Sequence, residues 1–490
     1  MRGDEATVGL TAGGGDAVQV LSVILARQAS ADAALRLALA AVDDLPMSVQ
    51  GPTLARIEVP LTTDIDAETA LAWLAPWPRE ARCFWADRDD VVTVAGVGEA
   101  WHVGGLGWTL DAGLTALQRT LASAPRRVRL VGGVCFHGEL RSTGPWKAFG
   151  AWRFALPQLE LGRDGLGAWL AVHVHGGETD WSERCQATRA AVQGWRGAAR
   201  SPVPSPGTRP HVVAVRDTPD RAGWHDAIAA ALTALRSGTL DKVVLARQRH
   251  VALAEPPDAV GLLGQLAARQ PRSFRFCLQP RADSAFVGAS PERLLRVSDG
   301  DVLSEALAGT RPRGADPASD AALADGLRTA DKDRREHALV ADMVASTLRR
   351  VCDDVTVASE PAIMALSHVQ HLHTPIAGRL RPPHSVADLL VALHPTPAVG
   401  GTPRLAARAL IAQLEAFQRG LYAAPVGWVG GGGDAEFTVA IRSALVEGST
   451  VSLFSGAGVV LGSDADAEWA EIDGKIAALW QAFGLDGGPA

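Results

Sequence analysis

Phe274-Arg275-Phe276-Cys277-Leu278-Gln279 and Ala285-Phe286-Val287-Gly288 are two β-like runs in close succession, and Ala289-Ser290-Pro291-Glu292-Arg293-Leu294-Leu295 turns from them into a third apolar stretch. Further runs of this kind at Lys242 to Ala246, Val426 to Val429, Phe437 to Leu445 and Val451 to Ser455 surround long helical patterns at about 320–352, 403–419 and 466–483. The pattern predicts an α+β arrangement with mixed sheets, within the broad α/β class. It lacks the regular βαβ alternation of a doubly wound fold. Just upstream, Trp224, Ile228, Leu232 and Leu235 mark an amphipathic helix that Gly238 can terminate.

Earlier in the chain, β-like runs recur at Ala55 to Leu61, Val91 to Val97, Val128 to Phe136 and Trp169 to His175, which predicts an antiparallel sheet with intervening helices. The stretch from Gly197 to Pro210 is rich in Pro, Ser, Gly and Arg, a composition that favours an exposed connector. The expected organisation is therefore an N-terminal α/β region over 1–205 packed on a catalytic region over 211–487.

The 490 residues, 47% of them hydrophobic, can fill a sizeable core. A net charge of −7 and a pI near 6.0 offer no basic surface for nucleic acid, so a small anionic substrate would need locally placed positive groups. Cys83, Cys135, Cys185, Cys277 and Cys352 are scattered without a C-x-x-C spacing, which suggests neither a zinc site nor a disulfide framework and fits a reducing cytoplasm. Asp4, Glu5, Gln19 and Ser22 make the N-terminus a poor secretion signal. The apolar runs are too short to predict a membrane span.

Candidate chemistry begins with two pairs of acids. Asp333 and Glu336 lie three apart at the start of one expected helix, and Glu468 and Glu471 repeat that spacing near the C-terminus. The face of Glu336 continues through Val340, Met343, Val344, Thr347 and Val351, so Glu336 is expected to point at the core. A buried carboxylate must be paired or bound to a cation, and two such pairs offer the hard oxygen ligands that Mg2+ takes. A surface salt-bridge ladder competes with that reading, because Glu471 and Lys475 are four apart.

Lysine occurs only at positions 147, 242, 332 and 475. Lys242 therefore stands out at the head of its strand, since a desolvated lysine amine can lose its proton and an arginine cannot. The alternative is a strand-end lysine reaching solvent. Glu292 could act as a general acid from a partly dry turn, or simply pair with Arg293 or Arg296. Gly309-Thr310, Ala398-Val399-Gly400-Gly401 and Ser455-Gly456-Ala457-Gly458 belong to segments that could expose backbone N–H groups to an anion, or make ordinary turns. Arg442, placed within a strand, is a candidate for bidentate carboxylate binding against a solvent-facing alternative. His368, His371 and His373 form a dense cluster, but strand alternation separates His368 from His371, and no cysteine lies nearby to complete a zinc site.

Taken in order from about Trp224 to Phe483, with a fainter echo at Gly132-Gly133 through Trp146, Phe149, Trp152 and Leu156-Pro157, these segments resemble the chorismate-utilising enzymes, most closely the isochorismate synthase branch. The resemblance implies a large two-sheet fold with helices packed outside the sheets. It implies Lys242 as the base that activates water and Glu292 as the acid that protonates a departing hydroxyl. It implies Glu336 and Glu471 as principal Mg2+ ligands, Asp333 and Glu468 as further or water-mediated ones, and Gly309, Thr310, Ala398, Tyr422, Arg442, Gly456 and Lys475 at substrate-binding positions. The substrate implied is chorismate, and the reaction adds water at C2 while the C4 hydroxyl leaves.

Single positions separate the branches of that family. Ala308 stands where one class of aminodeoxychorismate synthase carries a nucleophilic lysine, and Lys242 where anthranilate synthases usually carry a glutamine-like residue. Ala398 matches isochorismate synthases, whereas relatives that also eliminate pyruvate, the salicylate synthases, tend to carry threonine. A non-catalytic relative that binds an anionic metabolite is the reading from another class. Menaquinone and catecholate siderophore synthesis both draw on isochorismate, and the residues select neither.

Overall fold

The computed structural model describes residues 6–11, 18–77, 81–107, 110–139, 144–199, 210–366 and 369–485. Its strands form one 14-stranded and one 10-stranded sheet, with helices packed on them. Among the described strands, pairing is antiparallel except between Gln19–Leu25 and Thr53–Pro60, which the helix Ala31–Asp43 connects and a parallel bridge between Ala29 and Leu61 extends. The α+β expectation with mixed sheets holds.

Residues 200–209 of the expected connector from Gly197 to Pro210 lie outside the described residues, and the boundary placed there does not divide the sheets. Arg82–Ala86 pairs with Phe274–Arg281 in the larger sheet, and Arg129–Val134 pairs with Pro425–Gly430 in the smaller, so both sheets are built from both halves of the chain. Aromatic packing follows the same rule: Trp146, from the first half, lies against Phe286 and Phe454 of the second. Its indole N–H donates to the Gln418 carbonyl at 3.0 Å. Gly420 has to be glycine there, because a Cβ would come within 2.0 Å of the Trp146 ring.

Two crossings between the sheets decide where the chemistry sits. Ser284–Ser290 belongs to the larger sheet and Arg293–Ser298 to the smaller, so the chain passes between them at Pro291-Glu292. The return crossing lies between Ala435–Val439 in the smaller sheet and Ser443–Glu447 in the larger. The single strand expected from Phe437 to Leu445 is therefore two strands in different sheets, and Arg442 sits in the bend with φ of 51°. A positive φ is uncommon for a residue with a Cβ, and a tight change of direction is where it arises. The crossings are tied together: Val439 N–H donates to the Glu292 carbonyl at 3.0 Å and Ala289 N–H to the Arg442 carbonyl at 3.1 Å.

Helices flank these sheets. Arg221–Arg236 starts where Asp220 accepts from the Gly223 N–H at 2.9 Å and ends before Gly238, whose φ of 73° only glycine takes freely. It buries Trp224, Ile228 and Leu235, and Trp224 donates to the Ala465 carbonyl at the head of the last helix, Ala465–Ala482. The long helix expected near 320–352 is two helices, Pro317–Thr329 and Asp331–Val351. Ala330 adopts an extended ψ of 115°, ending one helix and capping the next. No described helix is long and apolar enough to cross a membrane. The described cysteines are all free thiols.

Candidate active site

Lys242 opens the strand Lys242–Leu253, and the geometry around it leaves room for one long side chain. A Cβ on Gly458 would lie 2.9 Å from Lys242 Cε, and a Cβ on Gly401 would lie 2.2 Å from the Lys242 carbonyl oxygen. Neither position tolerates a larger residue without moving the lysine. Arg419, fully buried, donates to the carbonyls of Val244 and Val399 at 2.8 Å each, so the loop that carries Ala398 is clamped to the start of the strand. The Lys242 ammonium lies mostly out of water and donates to Glu336 Oε1 at 2.8 Å.

That pairing corrects the expected orientation of Glu336. The buried stripe of the helix Asp331–Val351 runs through Asp333, His337, Val340, Val344, Thr347 and Leu348, so Glu336 lies beside it with a side chain 41% exposed. Asp333 takes the buried place instead, where it is held by an ion pair with Arg311. At the C-terminal helix, Glu468 is half-buried, whereas Glu471 is exposed and accepts from Lys475 Nζ at 2.7 Å, as the ladder reading anticipated. Lys475 also donates to the Gly456 carbonyl at 2.9 Å. Gly456 and Gly458 are two residues apart on the strand Thr450–Val459. The two lysines therefore meet neighbouring parts of one strand. Among the described residues, no group of three or more His, Cys, Asp or Glu side chains is assembled closely enough to hold a metal ion.

Glu292 is 7% exposed. Neither Arg293 nor Arg296 neutralises it: Arg293 bonds Glu436 at 3.1 Å. Burial and then the neighbouring charge of Glu305 push its carboxyl up to about 8, against the opposing pull of Lys242 and Arg442. A carboxyl in that condition keeps its proton at neutral pH and can give it away. Burial in turn brings the Arg442 guanidinium down to about 10, opposed by the charge of Glu292. Arg442 is half-buried, and its Nη1 lies 3.4 Å from Gln270 Oε1.

The other positions expected to bind substrate lie on several separate elements. Tyr422 stacks on Phe454 with ring centroids 5.2 Å apart, and its hydroxyl approaches the bare face of Gly456, 3.3 Å from where a Cβ would stand. Gly309 has φ of 74° and backs onto Asp333, and Thr310 follows it at the surface. Ala398 is half-buried in the clamped loop.

Sequence reasoning weighed His371 only as part of a zinc cluster. It lies on the strand Val369–Leu380, where Thr310 Oγ1 and the Gly309 carbonyl flank its Nδ1 at 3.0 and 3.2 Å. Its Nε2 is buried without a partner. Burial, with the charges of Arg442 and Lys475, brings the ring down to about 4, which leaves a neutral imidazole at neutral pH. Its neighbour His373 bonds Glu305 at 2.9 Å, so neither histidine is arranged for zinc, and His368 lies outside the described residues. The available signal was alternation, which sets His371 and His373 on one face of the strand.

Comparisons with known proteins agree with one another. Residues 41–484 match the family model described as chorismate binding enzyme. The chain is 36% identical over 394 residues to isochorismate synthase 2, chloroplastic, of Arabidopsis thaliana, a match covering 79% of this chain and 69% of that protein. It is 35% identical over 359 residues to isochorismate synthase MenF of Bacillus subtilis, covering 72% and 74% of the two chains. Among solved structures, MenF, the menaquinone-specific isochorismate synthase from Escherichia coli, superposes with a TM-score of 0.79 at 29% identity, over 92% of this chain and all of that one.

Proposed function

The chain belongs to the chorismate-binding enzymes, and from that premise we propose that it is an isochorismate synthase. Chorismate carries two carboxylates and an allylic hydroxyl on a cyclohexadiene ring. In the reaction, water adds at C2, the double bonds shift, and the C4 hydroxyl departs as water. One water enters and one leaves, so the change is an isomerisation.

The chemistry asks for a base on one side of the ring and an acid on the other. Lys242, acting in its neutral amine form, takes the proton of the attacking water and becomes an ammonium, and Glu292 gives its proton to the leaving oxygen. The observation that carries this reading is the burial of Glu292, a carboxyl only 7% exposed in the turn between the two sheets, where burial pushes it up to about 8 against the pull of the Lys242 and Arg442 charges. Arg442, Lys475 and the backbone around Gly309, Thr310 and Gly456 bind the substrate carboxylates, while Tyr422 and Ala398 shape the wall. A neutral His371 offers one further polar contact without adding charge. Ala308 provides no nucleophile, which supports addition of water.

A divalent cation, Mg2+ in this proposal, takes hard oxygen donors; the described carboxylates do not gather three at a time, so water and substrate oxygen would complete much of its shell. Glu336 and Glu471 are partly exposed carboxylates that each already hold an ammonium group, and Glu468 lies one turn from Glu471. Glu336 and Glu471 would hold the ion, with Glu468 and Asp333 as further or water-mediated members and substrate oxygen completing the shell. When bound, the ion supplies positive charge against the ring carboxylate. The free thiols fit a reducing compartment, the cytoplasm in this reading.

Incubation with chorismate and Mg2+ followed by chromatography tests the proposal. Isochorismate is the expected product. Salicylate with pyruvate would move the chain to the salicylate synthases, and binding without conversion would make it a non-catalytic relative.

A further inference from the structure

Beside Glu292 lies a charged cluster that the reaction as described does not use. Glu305, on the strand Asp301–Pro312, has a side chain only 2% exposed, and both its oxygens are engaged. Oε1 accepts from Arg88 Nη1 at 2.7 Å and from the Arg293 N–H at 2.8 Å. Oε2 accepts from Arg88 Nη2 at 2.7 Å and from His373 Nε2 at 2.9 Å. Arg88 comes from the first half of the chain, and its Nη1 also donates to the Pro291 carbonyl at 2.9 Å.

These contacts enclose Glu292 along the backbone. The carbonyl before it is held by Arg88 and the N–H after it by Glu305. Its own carbonyl accepts from Thr438 Oγ1 at 2.6 Å and from Val439 N–H, and its own N–H donates to Ser290 Oγ at 3.3 Å. We propose that Arg88 and Glu305 are positioning residues for the acid: together they fix the backbone of Glu292 and keep a negative charge beside its carboxyl. The inference rests on reading Glu292 as the proton donor and adds the device that sets it up.

The electrostatics run in the required direction. Burial alone would raise the Glu305 carboxyl, but hydrogen bonding by His373 and the charge and fork of Arg88 outweigh it and bring it down to about 2. Glu305 therefore stays ionised at working pH, and a like charge nearby makes Glu292 harder to ionise. The charged groups facing Glu292 are Glu305, Lys242 and Arg442. Those around Glu305 are Arg88, Arg293 and His373, with Asp89 and Glu436 on the far side of Arg293. Buried ion pairs are often replaceable by apolar residues without loss of stability, so one wrapped around a proton donor invites a functional explanation.

The test is the pH dependence of kcat/KM for chorismate in two variants, with Glu292→Gln as the reference. The acid must be protonated, so activity of the unaltered enzyme falls as pH rises through about 8. In Glu305→Gln the like charge is gone, Glu292 loses its proton sooner, and that alkaline fall moves to lower pH by about one pH unit. Arg88→Lys keeps the charge but loses the fork. Its kcat drops roughly three- to tenfold while KM stays within about twofold, because the Arg88 guanidinium is engaged by Glu305 and the Pro291 carbonyl. A Glu305→Gln profile that coincides with the unaltered one overturns the proposal. If that variant does not fold, an Arg88→Lys enzyme with unchanged kcat overturns it. Full activity in Glu292→Gln would instead remove the reading of Glu292 itself.

Discussion

Glu292→Gln is expected to lower kcat for chorismate by about 10²–10⁴-fold, the range that loss of a general acid produces, with KM little changed. The amide matches the carboxyl in size but has no acidic proton to deliver. The fold around position 292 should survive, because the turn is held by its backbone: Ser290, Thr438 and Val439 bond main-chain groups that the substitution leaves in place. Steady-state kinetics alongside urea denaturation separates the two effects. The exchange swaps a neutral carboxyl for a neutral amide of equal size, so stability should change by about 1 kcal/mol, the centre of the range for single substitutions. A variant within a few-fold of the unaltered kcat across the pH range would exclude Glu292 as the proton donor.

Lys242→Ala should be inactivated to a similar extent, about 10²–10⁴-fold in kcat, and the informative companion is Lys242→Arg. If the lysine served only to neutralise Glu336, an arginine could do the same through the 2.8 Å pairing now made by Nζ, and activity would persist. A base must give up its proton, which arginine effectively cannot, so both variants are expected to be inactive. Neither should unfold the protein: the Glu336 carboxylate left behind is 41% exposed and can be solvated. Retained turnover in Lys242→Arg would assign position 242 an electrostatic role and leave the base to be found elsewhere.

Local chemistry marked Lys242 and Glu292, the proposed base and acid, as candidates, and the family resemblance gave them their roles. Lys242 is a lysine where the chain otherwise spends arginine, and Glu292 is a carboxyl in a turn between apolar runs. Helix and strand positions followed from periodicity for the same reason. What escaped was set by long-range pairing. The run from Phe437 to Leu445 reads as one strand, and only the partners of its two halves, Arg293–Ser298 for one and Ser284–Ser290 for the other, put the bend at Arg442. Helical spacing placed Asp333 and Glu336 on one face, yet it could not say which edge of that face meets the core. Arg311 captured Asp333, and Lys242 drew Glu336 to the cleft. Arg88 had no signal at all, since its partner Glu305 is 217 positions away.

Isotope tracing in water enriched in ¹⁸O examines the central claim most directly. If Lys242 activates a solvent water for attack at C2 while Glu292 releases the C4 hydroxyl, isochorismate formed in a single turnover carries one ¹⁸O atom at C2. Mass spectrometry of the product should find that label in the unaltered enzyme. Isochorismate that forms without solvent oxygen would mean that the original hydroxyl is passed across the ring, and a base and an acid on opposite sides of it would have no place in the mechanism.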